Sequence, residues 1–259
     1  MAGRRIPILL ISLLILLTMV ACTSLCSWDW LPFGLGGACR KTLDQETLDR
    51  LRLSMEPTVQ MKPGETRQLL LGVVECCYVF EPVDACATWS VSPSNGATID
   101  EDTGVLTVDA DTQSGAVFTV TADVEEGRRL VSVEVHVYTT EANPLVGNWR
   151  EEYQFACETW QEVTPDEPIR ELQFRADGTF SVTWYPFEIY RDYWGSYRYD
   201  LEEGTLDLTI DGGNYVPQDV DGGGYLEIDD QGRLLLRDLW LGTPDGGTAA
   251  SLCGHRFVR

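Results

Sequence analysis

Histidine and lysine are nearly absent from this sequence, with two of each among 259 residues. Two histidines leave little from which to build a His-rich catalytic or zinc site. No His-Glu-x-x-His helix, Gly-x-Ser-x-Gly elbow, phosphate-binding glycine loop or zinc-type Cys-x-x-Cys pair occurs. Positive charge is scarce too: 19 Lys and Arg stand against 41 Asp and Glu, a formal net charge of -22. Such a chain has no basic face for phosphate backbones, so nucleic acid is excluded as a partner. Beyond residue 21 no apolar stretch approaches the length of a membrane-spanning helix. What is present is apolar and aromatic: 44% hydrophobic residues, including eight Trp, ten Tyr and eight Phe. That is too much apolar surface for an acidic disordered tail, and the chain is expected to fold, at this length as two small domains. Eight cysteines point to an oxidising compartment in which thiols pair.

The N-terminus names that compartment. Arg4 and Arg5 precede an apolar run from Ile6 to Ala21. Those 16 residues would span about 24 Å as a helix, short of a hydrocarbon core of about 30 Å, which fits an export signal better than a permanent anchor. Met19-Val20-Ala21-Cys22 resembles the bacterial lipobox, with Met19 where Leu is usual. The resemblance implies cleavage after residue 21, lipidation of Cys22, and a protein held on the membrane of the cell envelope through acyl chains, facing periplasm or exterior. Residues 22–52 read as a tether, which a Cys26–Cys39 bridge would close, with a short helix over residues 42–51.

From residue 53 the hydrophobic period becomes two. Residues 66–74, 87–92, 104–108, 117–122 and 130–138 are short β-branched and apolar runs between turn residues, the pattern of a β-sandwich over 53–140. The turn Lys62-Pro63-Gly64-Glu65-Thr66, then Trp89-Ser90-Val91, Ala97 to Asp100, Thr103 to Thr107 and the closing strand Val133 to Val137 resemble the bacterial Ig-like domains of group 2. An insertion from Glu75 to Asp84, holding Cys76 and Cys77, departs from that pattern. The resemblance implies a spacer or adhesive module rather than a catalyst.

After a linker at 141–144, turns at Asp177-Gly178, Glu203-Gly204 and Asp230-Gln231-Gly232 punctuate about eight strands between residues 147 and 258. Eight sequential antiparallel strands can close on themselves, so 141–259 is expected to form a small β-barrel. Gly147-Asn148-Trp149 near its first strand and Arg256 near its last resemble the floor of the lipocalin barrel, where an Arg packs over that Trp. The expected fold class is therefore all-β: an Ig-like sandwich followed by a lipocalin-like, eight-stranded antiparallel barrel.

Cys157 and Cys253 are the sole cysteines of the second domain. They are expected to pair, because closure sets the first and last strands side by side. Cys86 is expected to bond Cys76 or Cys77. The densest candidate binding feature is aromatic: Trp184, Tyr190, Asp192, Tyr193, Trp194 and Tyr197 would line a barrel mouth able to stack on a sugar or apolar ligand. The plainer account is that these residues form the barrel's core and lid. Asp219, Asp221, Gly224 and Asp230 fit part of a calcium-loop template, but Gly223 fills a ligand position and no helices flank the loop, so an acidic turn is the better reading and no metal or cofactor is expected. His136 alternates onto a solvent face. His255 alternates inward and would meet a carboxylate such as Glu151, either as a satisfied core pair or as acid-base machinery. The expected function is non-catalytic: a lipid-anchored envelope protein whose Ig-like spacer presents a barrel that binds a small apolar or sugar ligand or another envelope protein. The rival is a hydrolase or other enzyme using His255 inside the barrel.

Overall fold

The structure, a computed structural model, describes residues 42–75, 79–187, 190–244 and 251–259, all within one compact unit. The N-terminal apolar run, Cys22, Cys26 and Cys39 lie outside the described residues. Among the described residues no helix is long and apolar enough to cross a membrane.

The chain enters through a six-residue helix, α1 (Gln45–Arg50). It starts where the Asp44 side chain accepts from the Thr47 N–H at 2.8 Å. Glu46 in its first turn and Arg50 in its last oppose the backbone dipole. Leu48, Leu51 and Leu53 are buried with the sandwich residues, so the apolar spacing read as the end of a tether belongs to that core.

Nine strands follow: β1 (Thr58–Met61), β2 (Thr66–Gln68), β3 (Gly72–Val74), β4 (Phe80–Pro82), β5 (Ala87–Ser92), β6 (Ala97–Ile99), β7 (Val105–Val108), β8 (Val117–Val124) and β9 (Arg129–Val137). One sheet has the order β1-β9-β8-β5, with β1 parallel to β9, and the other β2-β7-β6. These are the C-F-G and B-E-D arrangements of an Ig-like sandwich. Alternation explains the core: Phe118, Val120, Ala122 and Val124 of β8 and Val131, Val133, Val135 and Val137 of β9 are all buried. At Gly104, with φ +71°, an added Cβ would lie 2.6 Å from the Trp89 ring, so the indole lies directly on the backbone there. The continuous run 66–74 is two strands, because Leu69 and Leu71 both turn into the core between β2 and β3. The β3–β4 hairpin carries the insertion, whose residues 76–78 lie outside the described set; Cys86 is disulfide-bonded.

The second half comprises β10 (Gly147–Ala156), β11 (Glu162–Val163), β12 (Glu171–Phe174), β13 (Thr179–Thr183), β14 (Tyr193–Asp200), β15 (Thr205–Gly213), β16 (Gly223–Ile228), β17 (Leu234–Arg237) and β18 (Leu252–Val258). Each long strand pairs antiparallel with the next, and β10 pairs with β18, closing an eight-strand barrel; β11 folds back on the end of β10 outside the ring. A barrel of this strand number is either filled by its own side chains or holds one small ligand, and this one is filled. Trp149, Phe174, Phe180, Tyr193, Leu236 and Phe257 fill it, each at most 2% exposed. Burying each of these side chains contributes about 1.5–3 kcal/mol. Cys157 and Cys253 are joined, with Cα atoms 4.9 Å apart, where β10 ends and β18 begins.

The guanidinium over Trp149 is that of Arg259, at 4.5 Å from the ring centroid, not that of Arg256. His255 and Phe257 alternate into the barrel, so Arg256 points out, stacks on Tyr153 at 4.5 Å and pairs with Glu152 and Glu162. Arg259 lies past the strand end, free to fold across the barrel floor and donate to the Pro144 carbonyl at 2.7 Å.

The sandwich and barrel cores are separate sets of residues. A polar joint links them. Thr58 Oγ1 donates to Asp177 at 2.6 Å, the Ala176 N–H donates to Gln60 Oε1 at 3.0 Å, and Glu56 pairs with Arg175 at 2.6 Å and Arg191 at 3.1 Å.

Candidate functional site

Inside the barrel, His255 lies beside Glu151 as alternation requires, both side chains fully buried. His255 Nδ1 is 2.5 Å from Glu151 Oε1, and its Nε2 accepts the Leu241 N–H at 3.1 Å. A backbone N–H can only donate, so the proton must sit on Nδ1, which donates to the carboxylate. The other carboxylate oxygen accepts the Ile169 N–H at 2.8 Å. Trp240 stacks on the imidazole at 4.4 Å. Both ring nitrogens are thus engaged by the protein itself.

The aromatic run does not assemble one mouth. Trp184, Tyr193 and Tyr197 are core residues, whereas Tyr190 and Trp194 are exposed. Tyr193 donates to the Leu241 carbonyl at 2.7 Å, and its complete burial pushes the phenol well above its ordinary pKa. Tyr197 lies four residues along β14, about 13 Å away, where it donates to the Arg175 carbonyl and accepts from Asn143. Asp192 is a buried brace: one oxygen accepts the Trp184 N–H at 2.8 Å, the other the Tyr190 hydroxyl at 3.1 Å. Trp194 points out of the wall and covers Gly212.

Asp219 holds the loop before β18, accepting from the Thr243 N–H at 2.9 Å, the Thr243 hydroxyl at 2.7 Å and Trp240 Nε1 at 3.2 Å. Among the described residues no group of three or more His, Cys, Asp or Glu is placed to hold a metal. His136, expected to face solvent, is largely covered, its Nε2 3.3 Å from Glu134.

The structure instead presents an open cleft of about 660 Å³ on the outer wall of the barrel. Strand register builds it. Phe155, Gly254, Arg237 and Tyr225 face one another across β10, β18, β17 and β16, and all point away from the core. Gly254 leaves a trough in that row: a Cβ there would lie 2.4 Å from the Leu236 carbonyl oxygen and 3.4 Å from the Trp160 ring. The Trp160 indole lies over the trough, 5.9 Å from the Phe155 ring and 5.9 Å from the Arg237 guanidinium. Trp160 is 40% and Tyr225 52% exposed. Glu203, Glu227 and Asp238 complete the lining, and Arg237 pairs with Glu227 at 2.9 Å. Trp160 and Asp238 both have φ 52°, a left-handed conformation that costs a non-glycine residue about 1 kcal/mol or more. The Cys157–Cys253 bond pins the Trp160 turn to the strand carrying Gly254. None of these residues forms a local motif, which is why the sequence does not reveal the cleft. The available signal is Tyr225, a large aromatic at an outward position of a strand that otherwise alternates cleanly.

The architecture therefore defines an all-β protein, an Ig-like sandwich joined to a closed, filled barrel. No protein-family profile matches the chain, and no curated protein matches it. Among solved structures, it is similar to the crystal structure of a structural-genomics protein of unknown function from Bacteroides ovatus, with 11% identity over 78% of this chain and 88% of that one and a TM-score of 0.26.

Proposed function

We propose that this chain is a lipid-anchored bacterial envelope protein without catalytic activity, in which the Ig-like sandwich is a spacer and the barrel a binding module that works from its outer surface. The observation that carries the reading is the filled barrel interior with its internally satisfied His255–Glu151 pair. A ligand has no room where a lipocalin would hold one, and the imidazole has no lone pair to offer a substrate. Exposed aromatics on the wall supply the binding surface instead. The lipobox resemblance at Met19 to Cys22 supports the anchor, and the group 2 Ig-like resemblance supports the spacer. Replacement Cys22→Ala is expected to move the protein from the membrane to the soluble fraction and to abolish labelling by a radioactive fatty acid. A wild-type chain that takes up no label refutes the anchor.

A further inference from the structure

We propose that the outer-wall cleft between Trp160 and Tyr225 binds an oligosaccharide; this rests on reading the barrel as a binding module and names the ligand class. A pyranose offers an apolar C–H face and a rim of hydroxyls, and the cleft is complementary to both. Exposed rings at Trp160 and Tyr225 provide the stacking faces. Glu203 and Asp238, whose carboxylates have no hydrogen-bond or ion-pair partner among the described residues, provide acceptors for hydroxyls, and Arg237 provides donors.

The alternatives fit less well. A lipid tail needs an enclosed apolar cavity, whereas this cleft is open and rimmed by four charged residues. An anion meets three carboxylates and one guanidinium already paired with Glu227. A cation meets Arg237 beside the indole face it would need. A peptide cannot add as a strand, because the ring of eight strands is closed. Spacing sets the ligand's length. Trp160 lies over β18 and Tyr225 is on β16, two strand spacings away, about 10 Å. One sugar ring does not reach both aromatics, so the cleft takes two or more linked residues.

The test applies the full chain, purified in detergent, to an array of neutral oligosaccharides of glucose, galactose, mannose and N-acetylhexosamines, two to six residues long, and titrates the best binder calorimetrically. Binding is expected to increase from mono- to disaccharide and to quench indole fluorescence. Trp160→Ala and Tyr225→Ser should each weaken it by about tenfold or more, with cooperative thermal unfolding of the barrel retained, while Trp194→Ala on the opposite wall leaves it intact. Failure of every array oligosaccharide to bind would overturn the ligand class. Binding that survives both replacements would overturn the cleft while leaving the protein a binding module.

Discussion

A carboxylate buried at the heart of a barrel is costly unless every lone pair facing the protein is used. Glu151 meets that condition with one oxygen on the Ile169 N–H and the other on His255, whose far nitrogen is in turn occupied by Leu241. The chain of bonds is directional: Leu241 N–H to imidazole, imidazole to carboxylate. Removing the carboxylate strands two donors at once. Glu151→Ala is therefore expected to destabilise the barrel by about 2–4 kcal/mol. Because the two residues act as one unit, His255→Ala added to it should cost less than it does alone, and a double-mutant cycle by urea denaturation of the full chain reads that coupling. Additive losses would show that the pair is not coupled. The pairing was legible in the sequence from alternation, since His255 and Phe257 share a face as do Trp149 and Glu151. The role of Leu241 was not, because a backbone donor in an irregular loop leaves no pattern of side chains.

The eight barrel strands and their hairpins at Gly178, Gly204 and Gly232 fall where runs between glycine turns set them, the four-residue β12 and β17 each lying inside a longer run that the sequence marks. The three- and four-residue strands β1, β4 and β6 are too short to show a period and exist because a neighbour supplies their bonds. Arg256 was placed over Trp149 by motif, whereas strand parity turns it outward. Closure itself follows from β10 meeting β18, and the disulfide locks that seam. Its partners are 96 residues apart in sequence, so the bond removes about 4–5 kcal/mol of disorder from the unfolded chain, strain aside. Cys253→Ser is expected to raise amide hydrogen exchange through β10, β17 and β18 while leaving β5, β8 and β9 unchanged, as read strand by strand by mass spectrometry. Equal acceleration in the sandwich would show that the two cores unfold together.

At the scale of the molecule, the two cores communicate through hydrogen bonds and ion pairs rather than shared apolar packing. Burial raises the Asp177 carboxyl, but the Thr179 and Thr58 hydroxyls that donate to it outweigh burial and hold it below its usual range. A carboxyl depressed in the folded state lends stability that is complete above its unfolded value and is lost as pH falls through the folded one. The joint is thus expected to hold at neutral pH and to weaken below about pH 4. Asp177→Asn should remove that part of the acid response and lower stability at pH 7, measured as the urea midpoint against pH; an unchanged acid profile would mean that other carboxylates set it. The joint was invisible in the sequence, since Glu56 meets Arg175 and Arg191, Thr58 meets Asp177 and Gln60 meets Ala176, each across more than a hundred residues.

The parallel pairing of β1 with β9 has a mechanical consequence. In a chain pulled from its N-terminal side, tension that has passed the buried segment Leu48 to Leu53 reaches β1 at Thr58 and leaves β9 at Val137, toward the barrel. These two points lie at opposite ends of one ladder that matches Thr58 to Glu134 and Met61 to Val137. A pull there shears the strands along their length and loads all the bonds of the ladder together, whereas an antiparallel hairpin pulled at its open end would unzip them one after another. The sandwich is thus built to resist extension along β1 and β9, with the barrel carried beyond the clamp.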